Sequence, residues 1–194
     1  MGRDEFLAAL DTNPVVVSIL ERAHQLEVPN WYLTAGGLFQ TVWNNLAGHD
    51  PQNGIRDYDY FYFDDSDISY EAEDRIIPIR RAAALFADLG VDVEVRNQAR
   101  VHLWYEDHFG APLNPYRSTE DAIDHFVSTT CCFGVRSEID GSRTVYAPHG
   151  YEDLFAGVIR PNPLLPMRAV YESKAARWTS IWPELTVEPW RDYP

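Results

Sequence analysis

The spacing of apolar residues along the chain follows two periods, which predict alternating helices and strands. In residues 38–46, apolar side chains recur three and four positions apart, as on one face of a helix. Residues 57–63, with the sequence DYDYFYF, are dense in aromatics and form the strongest predicted strand. Helices are predicted over 4–10, 14–26, 38–46, 69–89 and 167–182 and after Asn97 and Ser118, and strands over 31–34, 57–63 and 91–96.

Short sequence signals mark several of these boundaries. Asn13 followed by Pro14 is an N-cap with proline at the first helical position. Residues 131–136 and 144–146 form a predicted β-hairpin, because Asp140-Gly141 between them is a turn signal.

The order of the predicted elements indicates an α+β (mixed α/β) fold, because helices and strands alternate and a hairpin with further helices follows. We expect a small mixed β-sheet flanked by helices, with a C-terminal hairpin and helix. At ~100–200 residues per domain, a chain of 194 residues forms one domain. We predict this single domain over 1–194, with its core over 30–160 and a helical C-terminal extension over 161–194.

The charge of the chain narrows its partners. With 16 Lys+Arg against 30 Asp+Glu, the formal net charge is −14 at pH 7. Polyanions repel such a protein, so general nucleic-acid binding and binding to anionic membranes are not expected. Only Lys174 is a lysine, and the other cations are arginines. Since arginine binds phosphate in bidentate geometry, a locally basic phosphate pocket is compatible with this composition.

The location of the protein is also predicted from its sequence. No run approaches the ~20 apolar residues of a membrane helix, and the first residues lack the basic and then apolar order of a signal peptide. Cys131 and Cys132 are adjacent, which disfavours an ordinary disulfide between them and favours a reducing compartment. We therefore expect a cytoplasmic protein with no membrane partner.

Two carboxylates lie on one face of the strand predicted over 57–63. Alternate strand residues point to the same side, so Asp57 and Asp59 share a face and the intervening tyrosines take the other. Two such carboxylates repel each other unless a cation such as Mg²⁺ lies between them or one of them holds a proton. A solvated strand edge without chemistry is the remaining interpretation.

Glu94 adds a third carboxylate if the strand predicted over 91–96 pairs with the first. Carboxylates on adjacent strands can hold two metal ions ~3.5–4 Å apart, which clamp the attacking and leaving oxygens of a phosphoryl transfer. Asp88 and Asp92 are nearby in the sequence and are alternatives for this third position.

Candidate phosphate contacts come from glycine and arginine residues. Gly36 and Gly37 stand where a predicted strand turns into a helix, and a helix N-terminus offers unpaired N–H groups to a phosphate. A tight turn is the alternative. Arg56, Arg96 and Arg100 are candidates for phosphate neutralisation, and otherwise form exposed ion pairs.

These residues together resemble the nucleotidyltransferase signature of the DNA polymerase beta superfamily. That signature is an apolar residue, Gly, and Gly or Ser, followed by Asp-x-Asp and a later acidic residue. The chain more closely resembles a bacterial nucleotidyltransferase-like family. The matching segments lie within residues 31–185 and read AGGLFQTVWNNLAG, IRDYDYFYFD, VEVRNQARVHLWYEDHFG, STEDAIDHF, YAPHGYEDLFAGVIRPNP and WPEL.

The resemblance implies a mixed-sheet nucleotidyltransferase core that uses Mg²⁺ and a nucleoside triphosphate such as ATP. By this analogy Asp57 and Asp59 bind Mg²⁺ and the triphosphate, and Glu94 completes the catalytic metal site or activates the acceptor.

The same analogy assigns the nucleotide contacts. Gly36 and Gly37 would cradle phosphate. Arg96 and Arg100 are the candidates for neutralising it on their own chemistry, apart from the analogy. Gln40, which stands where the closer family is expected to carry Asn, would contact the nucleotide from the helix.

The sequence therefore predicts a Mg²⁺-dependent nucleotidyltransferase. It would transfer a nucleoside monophosphate from a triphosphate to the hydroxyl of a small-molecule acceptor and release pyrophosphate. The alternative is a catalytically silent regulatory or partner-binding protein that binds nucleotide on the same fold.

Overall fold

The computed structural model describes residues 1–69, 71–72 and 77–191, and for residues 77–80 the backbone only. Its α-helices are α1 (Arg3–Leu10), α2 (Pro14–Arg22), α3 (Gly36–Ala47), α4 (Ile77–Leu85), α5 (His102–Phe109), α6 (Thr119–Asp124), α7 (Glu152–Ala156) and α8 (Arg168–Ile181). Its strands are β1 (Tyr32–Thr34), β2 (Tyr58–Tyr62), β3 (Val93–Asn97), β4 (Gly134–Ser137), β5 (Arg143–Tyr146), β6 (Val158–Ile159) and β7 (Thr186–Val187).

Five strands form one mixed sheet in the order β3-β2-β1-β4-β5. Strands β2 and β3 run parallel, whereas β1 pairs antiparallel with both β2 and β4, and β4 with β5. This arrangement confirms the expected mixed α+β fold. A separate parallel pair, β6 with β7, has two residues per strand, which is too short to leave a periodic pattern in the sequence.

The structure changes the bounds of several predicted elements. The helix predicted over 14–26 ends as α2 at Arg22 and continues as a 3₁₀ turn, Ala23–Leu26. The predicted strand 131–136 begins only at Gly134, because the chain before it forms the 3₁₀ turn Thr129–Cys131. The helix predicted over 69–89 lies partly outside the described residues.

Asn13 ties the N-terminal helices to the sheet. Its Oδ1 accepts a hydrogen bond from the Val15 amide at 3.0 Å, so the predicted N-cap of α2 is confirmed. Its Nδ2 donates to Thr41 Oγ1 on α3 and to the Tyr58 hydroxyl on β2, at 2.9 and 3.2 Å. One fully buried amide thereby connects three elements, and buried networks of this kind fix a unique arrangement.

The core is concentrated on the face of β2 that carries its tyrosines. Tyr58, Tyr60 and Tyr62 are buried, whereas Asp59 and Phe61 between them are only partly buried. The alternation predicted from the sequence is therefore confirmed, and one face of β2 is left for polar side chains.

An aromatic cluster packs α8 against α3. The Trp43 ring lies 4.9 Å from Phe39, 5.8 Å from Trp178 and 5.4 Å from Trp182, each edge to face. Edge-to-face pairs at such distances contribute about 0.5–1.5 kcal/mol beyond the area that they bury. The C-terminal helix is thereby packed beside the helix that follows β1.

None of the described helices combines the length and apolarity needed to cross a bilayer.

Candidate active site

The carboxylates singled out in the sequence meet at the parallel pairing of β2 and β3. Asp59 is the register partner of Glu94, so these two side chains leave neighbouring strands on one face. Asp57 precedes Asp59 by two positions and lines the same pocket, which has a volume of about 360 Å³. The strand pairing on which the third carboxylate depends is thus confirmed. We call this cavity the carboxylate pocket.

Asp59 is the carboxyl group most affected by this arrangement. Burial, the Asp57 carboxylate and then the Glu94 carboxylate raise the pKa of Asp59 to about 7, and Lys174 and Arg96 partly offset them. Burial is the largest of these causes, and repulsion from the two neighbouring carboxylates adds to it. A cation bound beside Asp59 would relieve this repulsion.

The carboxylate pocket has the donor chemistry of a Mg²⁺ site that is completed by substrate. Among the side chains that the structure describes, no three histidine, cysteine or acidic groups converge closely enough to hold a metal ion by themselves. Mg²⁺ is commonly held by one or two carboxylates together with substrate phosphates. Asp57 and Asp59 fit this mode of binding, in which phosphate oxygens supply the other ligands.

Glu94 is held by an ion pair with Arg96, two positions further along β3. Arg96 donates through Nε at 3.1 Å and through a second guanidinium nitrogen, and both bonds end on Glu94 Oε1. Glu94 Oε2 has no hydrogen-bond donor within the described ranges. This oxygen is the part of Glu94 that can accept a proton or contact a bound cation.

The N-terminus of α3 forms another wall of the carboxylate pocket. Gly36 lines the pocket, and a Cβ there would lie 2.5 Å from Nε2 of Gln40. Gly37 instead faces the core, where a Cβ would lie 2.7 Å from the Tyr58 ring. Gly37 therefore allows α3 to approach β2, which is a packing reason for glycine that the sequence does not distinguish from phosphate contact.

Gln40 is buried one turn into α3 and also lines the pocket. Its Oε1 has no hydrogen-bond partner among the described groups. An unsatisfied buried acceptor is costly unless a ligand or water completes it. This geometry is compatible with the predicted nucleotide contact.

Ala35, directly before α3, has a backbone conformation that favours glycine. Its φ is +54° with ψ −138°, and it lines the carboxylate pocket. Such strain costs ~1–3 kcal/mol for a residue with a Cβ.

We expect Ala35→Gly to raise the free energy of unfolding by about 1 kcal/mol, after subtracting the cost of the entropy that glycine adds to the unfolded chain. Urea denaturation measures this, with Ala8→Gly inside α1 as the control that should destabilise instead; a destabilised Ala35→Gly would contradict the expectation.

The cations opposite the carboxylates come from α8 and were missed in the sequence. Lys174 and Arg177 are three positions apart, which places them on one helix face, and both line the carboxylate pocket with Arg56. Burial and the neighbouring Arg56 lower the pKa of Arg177, and Asp57 opposes this shift. The one available signal was that Lys174 is the single lysine of a chain otherwise rich in arginine.

Arg100 lies away from this site. It is buried in the 3₁₀ turn Gln98–Arg100, where its Nε donates to the Ile68 carbonyl at 3.0 Å. It lines neither of the pockets that border the carboxylates. The sequence-based assignment of Arg100 to nucleotide binding does not agree with this position, which instead anchors the loop after β2.

Cys131 is a further wall residue of the carboxylate pocket. Burial raises the pKa of its thiol to about 12, with Lys174 and Ser128 opposing the shift. The thiol is therefore protonated at neutral pH, and Cys131 contributes packing rather than a nucleophile.

A second, larger cavity borders the first. Its volume is about 580 Å³, and it shares Asp59, Glu94 and Lys174 with the carboxylate pocket. Its other walls are mainly aromatic and come from α5, from the segment before α6 and from the end of α6. They include Trp104, Tyr105, Phe109, Tyr116, His125 and Phe126. We call it the aromatic pocket. Arg96 lines it, on the side where it holds Glu94.

Comparison with known proteins places this geometry in context. A family profile described as "Nucleotidyltransferase" matches residues 21–187. A solved structure, described as revealing a CCA-adding enzyme head domain, superposes with a TM-score of 0.75 at 24% identity, covering 97% of this chain and 96% of that one. The sequence has no significant match among curated proteins. At this identity the superposition establishes the shared fold. The family profile, in contrast, spans most of the chain, from before β1 to the end of β7, and the protein therefore belongs to this nucleotidyltransferase family.

Proposed function

We propose that the protein transfers a nucleoside monophosphate from a nucleoside triphosphate to the hydroxyl of a small molecule, with Mg²⁺ as cofactor and pyrophosphate as the second product. The observation that carries this proposal is the pairing of Asp59 with Glu94, beside Asp57, in a pocket whose other walls are a helix N-terminus and the cations of α8. Phosphoryl transfer depends mainly on positioning and on neutralising charge. Membership of a nucleotidyltransferase family supports the same reaction class.

The pocket offers separate groups for the phosphates and for the metal. The unpaired N–H groups at the start of α3, with Lys174 and Arg177, would bind the triphosphate. Asp57 and Asp59 would hold Mg²⁺, which supplies positive charge to the phosphate oxygens as negative charge develops there. Asp59 has to be ionised for this role, so it loses its proton before or during metal binding.

Several features favour a small acceptor. The net charge of −14 opposes long-range attraction of a nucleic acid. The carboxylates border a second cavity of about 580 Å³, which lies within the usual range of ~300–1,000 Å³ for small-molecule sites.

The cytoplasmic location expected from the sequence is a separate part of the proposal. The two cysteines are buried and free, which is compatible with such a reducing compartment.

We expect the purified protein to release pyrophosphate when Mg²⁺, a nucleoside triphosphate and a hydroxyl acceptor are all present. The measurement is a coupled pyrophosphate assay over the four common triphosphates and a library of hydroxylated compounds. Mass spectrometry should find each active acceptor heavier by one nucleoside monophosphate. Excess EDTA should abolish the release and added Mg²⁺ should restore it, whereas release that is unaffected by EDTA would contradict the metal dependence.

A catalytically silent nucleotide-binding protein is the second candidate function. The observation that favours it is the ion pair between Arg96 and Glu94, which occupies one oxygen of the carboxylate that would complete the metal site. Calorimetry with Mg²⁺ and a non-hydrolysable ATP analogue, combined with the pyrophosphate assay, separates the two. Binding without pyrophosphate release over the whole library would favour the silent protein.

A further inference from the structure

The aromatic pocket has features that the binding of a triphosphate leaves unexplained. On α5, the ring centroids of Tyr105 and Phe109 lie 4.6 Å apart. The rings of Trp104 and His108 meet edge to face, with their centroids 6.1 Å apart. Trp104 and Phe109 are each 41% exposed, although large aromatic side chains are more often buried. Exposed apolar rings that line a cavity commonly mark a binding site.

The position of this pocket relative to the carboxylates defines what it can bind. The two pockets share a boundary whose charged groups are Asp59, Glu94 and Lys174; Phe61, Phe126 and Val127 complete it. The helix N-terminus at Gly36 and the Arg177 guanidinium lie only on the carboxylate-pocket side of that boundary. The anionic part of the triphosphate therefore has its binding groups on one side, and the rings of Trp104, Tyr105, Phe109 and Tyr116 line only the other.

Phosphoryl transfer requires the attacking and leaving oxygens to lie roughly in line through the phosphorus. If the pyrophosphate leaves toward Gly36 and Arg177, the α-phosphorus lies near Asp59 at the boundary. The attacking oxygen then approaches from the opposite side, past Glu94, which is the side of the aromatic pocket.

We propose that the aromatic pocket binds the acceptor, and that this acceptor is a hydroxylated aromatic compound without net charge. This proposal rests on the proposed function. The planar rings of α5 on one wall and of Tyr116 and Phe126 on another offer stacked and edge-to-face contacts to a planar guest.

The charge of the lining favours a neutral acceptor. Its acidic groups, Asp59 and Glu94, are balanced by Lys174 and by Arg96, which is paired to Glu94. At His125, Nδ1 lies 2.7 Å from the Asp121 carbonyl, to which it donates, so this nitrogen is already engaged within the protein. An acceptor with a net charge would lack a free counter-charge on these walls.

The transfer step balances with the groups present. The acceptor oxygen forms a bond to the α-phosphorus, and the bond from this phosphorus to the oxygen bridging to the β-phosphorus breaks. Pyrophosphate leaves with that bridging oxygen. The hydroxyl proton passes to Glu94 Oε2, which accepts no hydrogen bond within the described residues, and then to solvent.

Binding of paired probes to the full chain tests the proposal without nucleotide. Calorimetry compares 2-naphthol with its saturated counterpart, decahydro-2-naphthol. We expect the aromatic probe to bind about tenfold more tightly, and Trp104→Ala to remove about tenfold of its affinity, the usual effect of one stacking contact. Leu103→Ala is the matched control, because Leu103 precedes Trp104 on α5, is half exposed and does not line the pocket.

Nucleotide binding provides the opposing readout. The affinity for Mg²⁺ with a non-hydrolysable ATP analogue should be unchanged in Trp104→Ala. If this affinity falls instead, the pocket holds the nucleobase and the proposal is overturned. Equal binding of the two probes, or equal loss in Leu103→Ala, overturns it as well. Probe binding that depends on Trp104, in a protein that never releases pyrophosphate, would support the aromatic site and count against the proposed function alone.

Discussion

Replacement of Asp59 by Asn is expected to lower turnover by about a thousandfold, the upper range for removing one group that stabilises a transition state. Asp59 is the carboxylate that borders both pockets and that pairs with Glu94 across the two strands. The amide keeps the shape of the side chain but carries no negative charge, so metal-dependent steps lose a ligand. The pyrophosphate assay with an active acceptor measures this loss.

The same substitution should stabilise the fold, and the effect should depend on pH. The pKa of Asp59 is about 7 in the folded protein and ~3.9 in an unfolded chain. Between these values the folded state binds more protons, so ionising Asp59 lowers stability progressively as pH rises, and the full cost is present above pH 7. We expect Asp59→Asn to raise the free energy of unfolding by about 2–4 kcal/mol at pH 8, and by little near pH 4.

Asp92→Asn is the matched control for both measurements. Asp92 is exposed just before β3, and its carbonyl accepts a hydrogen bond from the Tyr58 amide through the backbone only. It was an alternative for the third carboxylate, yet it lines neither pocket. Turnover and the pH profile of stability should match those of the unmodified protein. An Asp59→Asn protein that keeps its turnover would place the catalytic site elsewhere.

The parts of the site that the sequence predicted are those set by local periodicity. The alternation of residues 57–63 separates the carboxylates from the buried tyrosines, because a strand has a period of two. The position of Glu94 beside them then follows from one further assumption, namely that the two strands are neighbours. The structure confirms this assumption, with Asp59 opposite Glu94 in the parallel pairing of β2 with β3.

The parts that could not be predicted depend on distant packing or on short irregular turns. Lys174 and Arg177 reach the carboxylates only because Trp178 and its neighbours pack α8 against α3, and no local pattern encodes this contact. Arg100 belongs to the 3₁₀ turn Gln98–Arg100, where its Nε donates to the Ile68 carbonyl and the residue lines neither pocket. Both cases turn on three-dimensional contacts between segments that are separate in sequence.

We expect Trp182→Ala to lower the free energy of unfolding by about 3–5 kcal/mol, more than any other substitution considered. The reason is that Trp182 holds α8 against the rest of the site. Trp182 is fully buried at the end of α8. Its Nε1 donates to Asn44 Oδ1 at 2.9 Å, and a Cβ on Gly54 would lie 2.9 Å from its ring. Removing the ring leaves a cavity and leaves Asn44 Oδ1 with only the weaker of its two donors, Asn53 Nδ2 at 3.3 Å. Both effects lower the free energy of unfolding measured with urea.

A loss of nucleotide affinity should accompany this destabilisation, because Arg177 donates to the Gly54 carbonyl at 2.9 Å in the same region. Trp182→Phe keeps most of the ring contacts and loses only the hydrogen bond, so it should cost about 1–3 kcal/mol and retain nucleotide binding. Trp104→Ala, which truncates a half-exposed ring on α5, should change stability by less than about 1 kcal/mol. If Trp182→Ala and Trp104→Ala were equally destabilising, α8 would not be held by the aromatic cluster. The cations of α8 would then have to reach the carboxylates by some other contact.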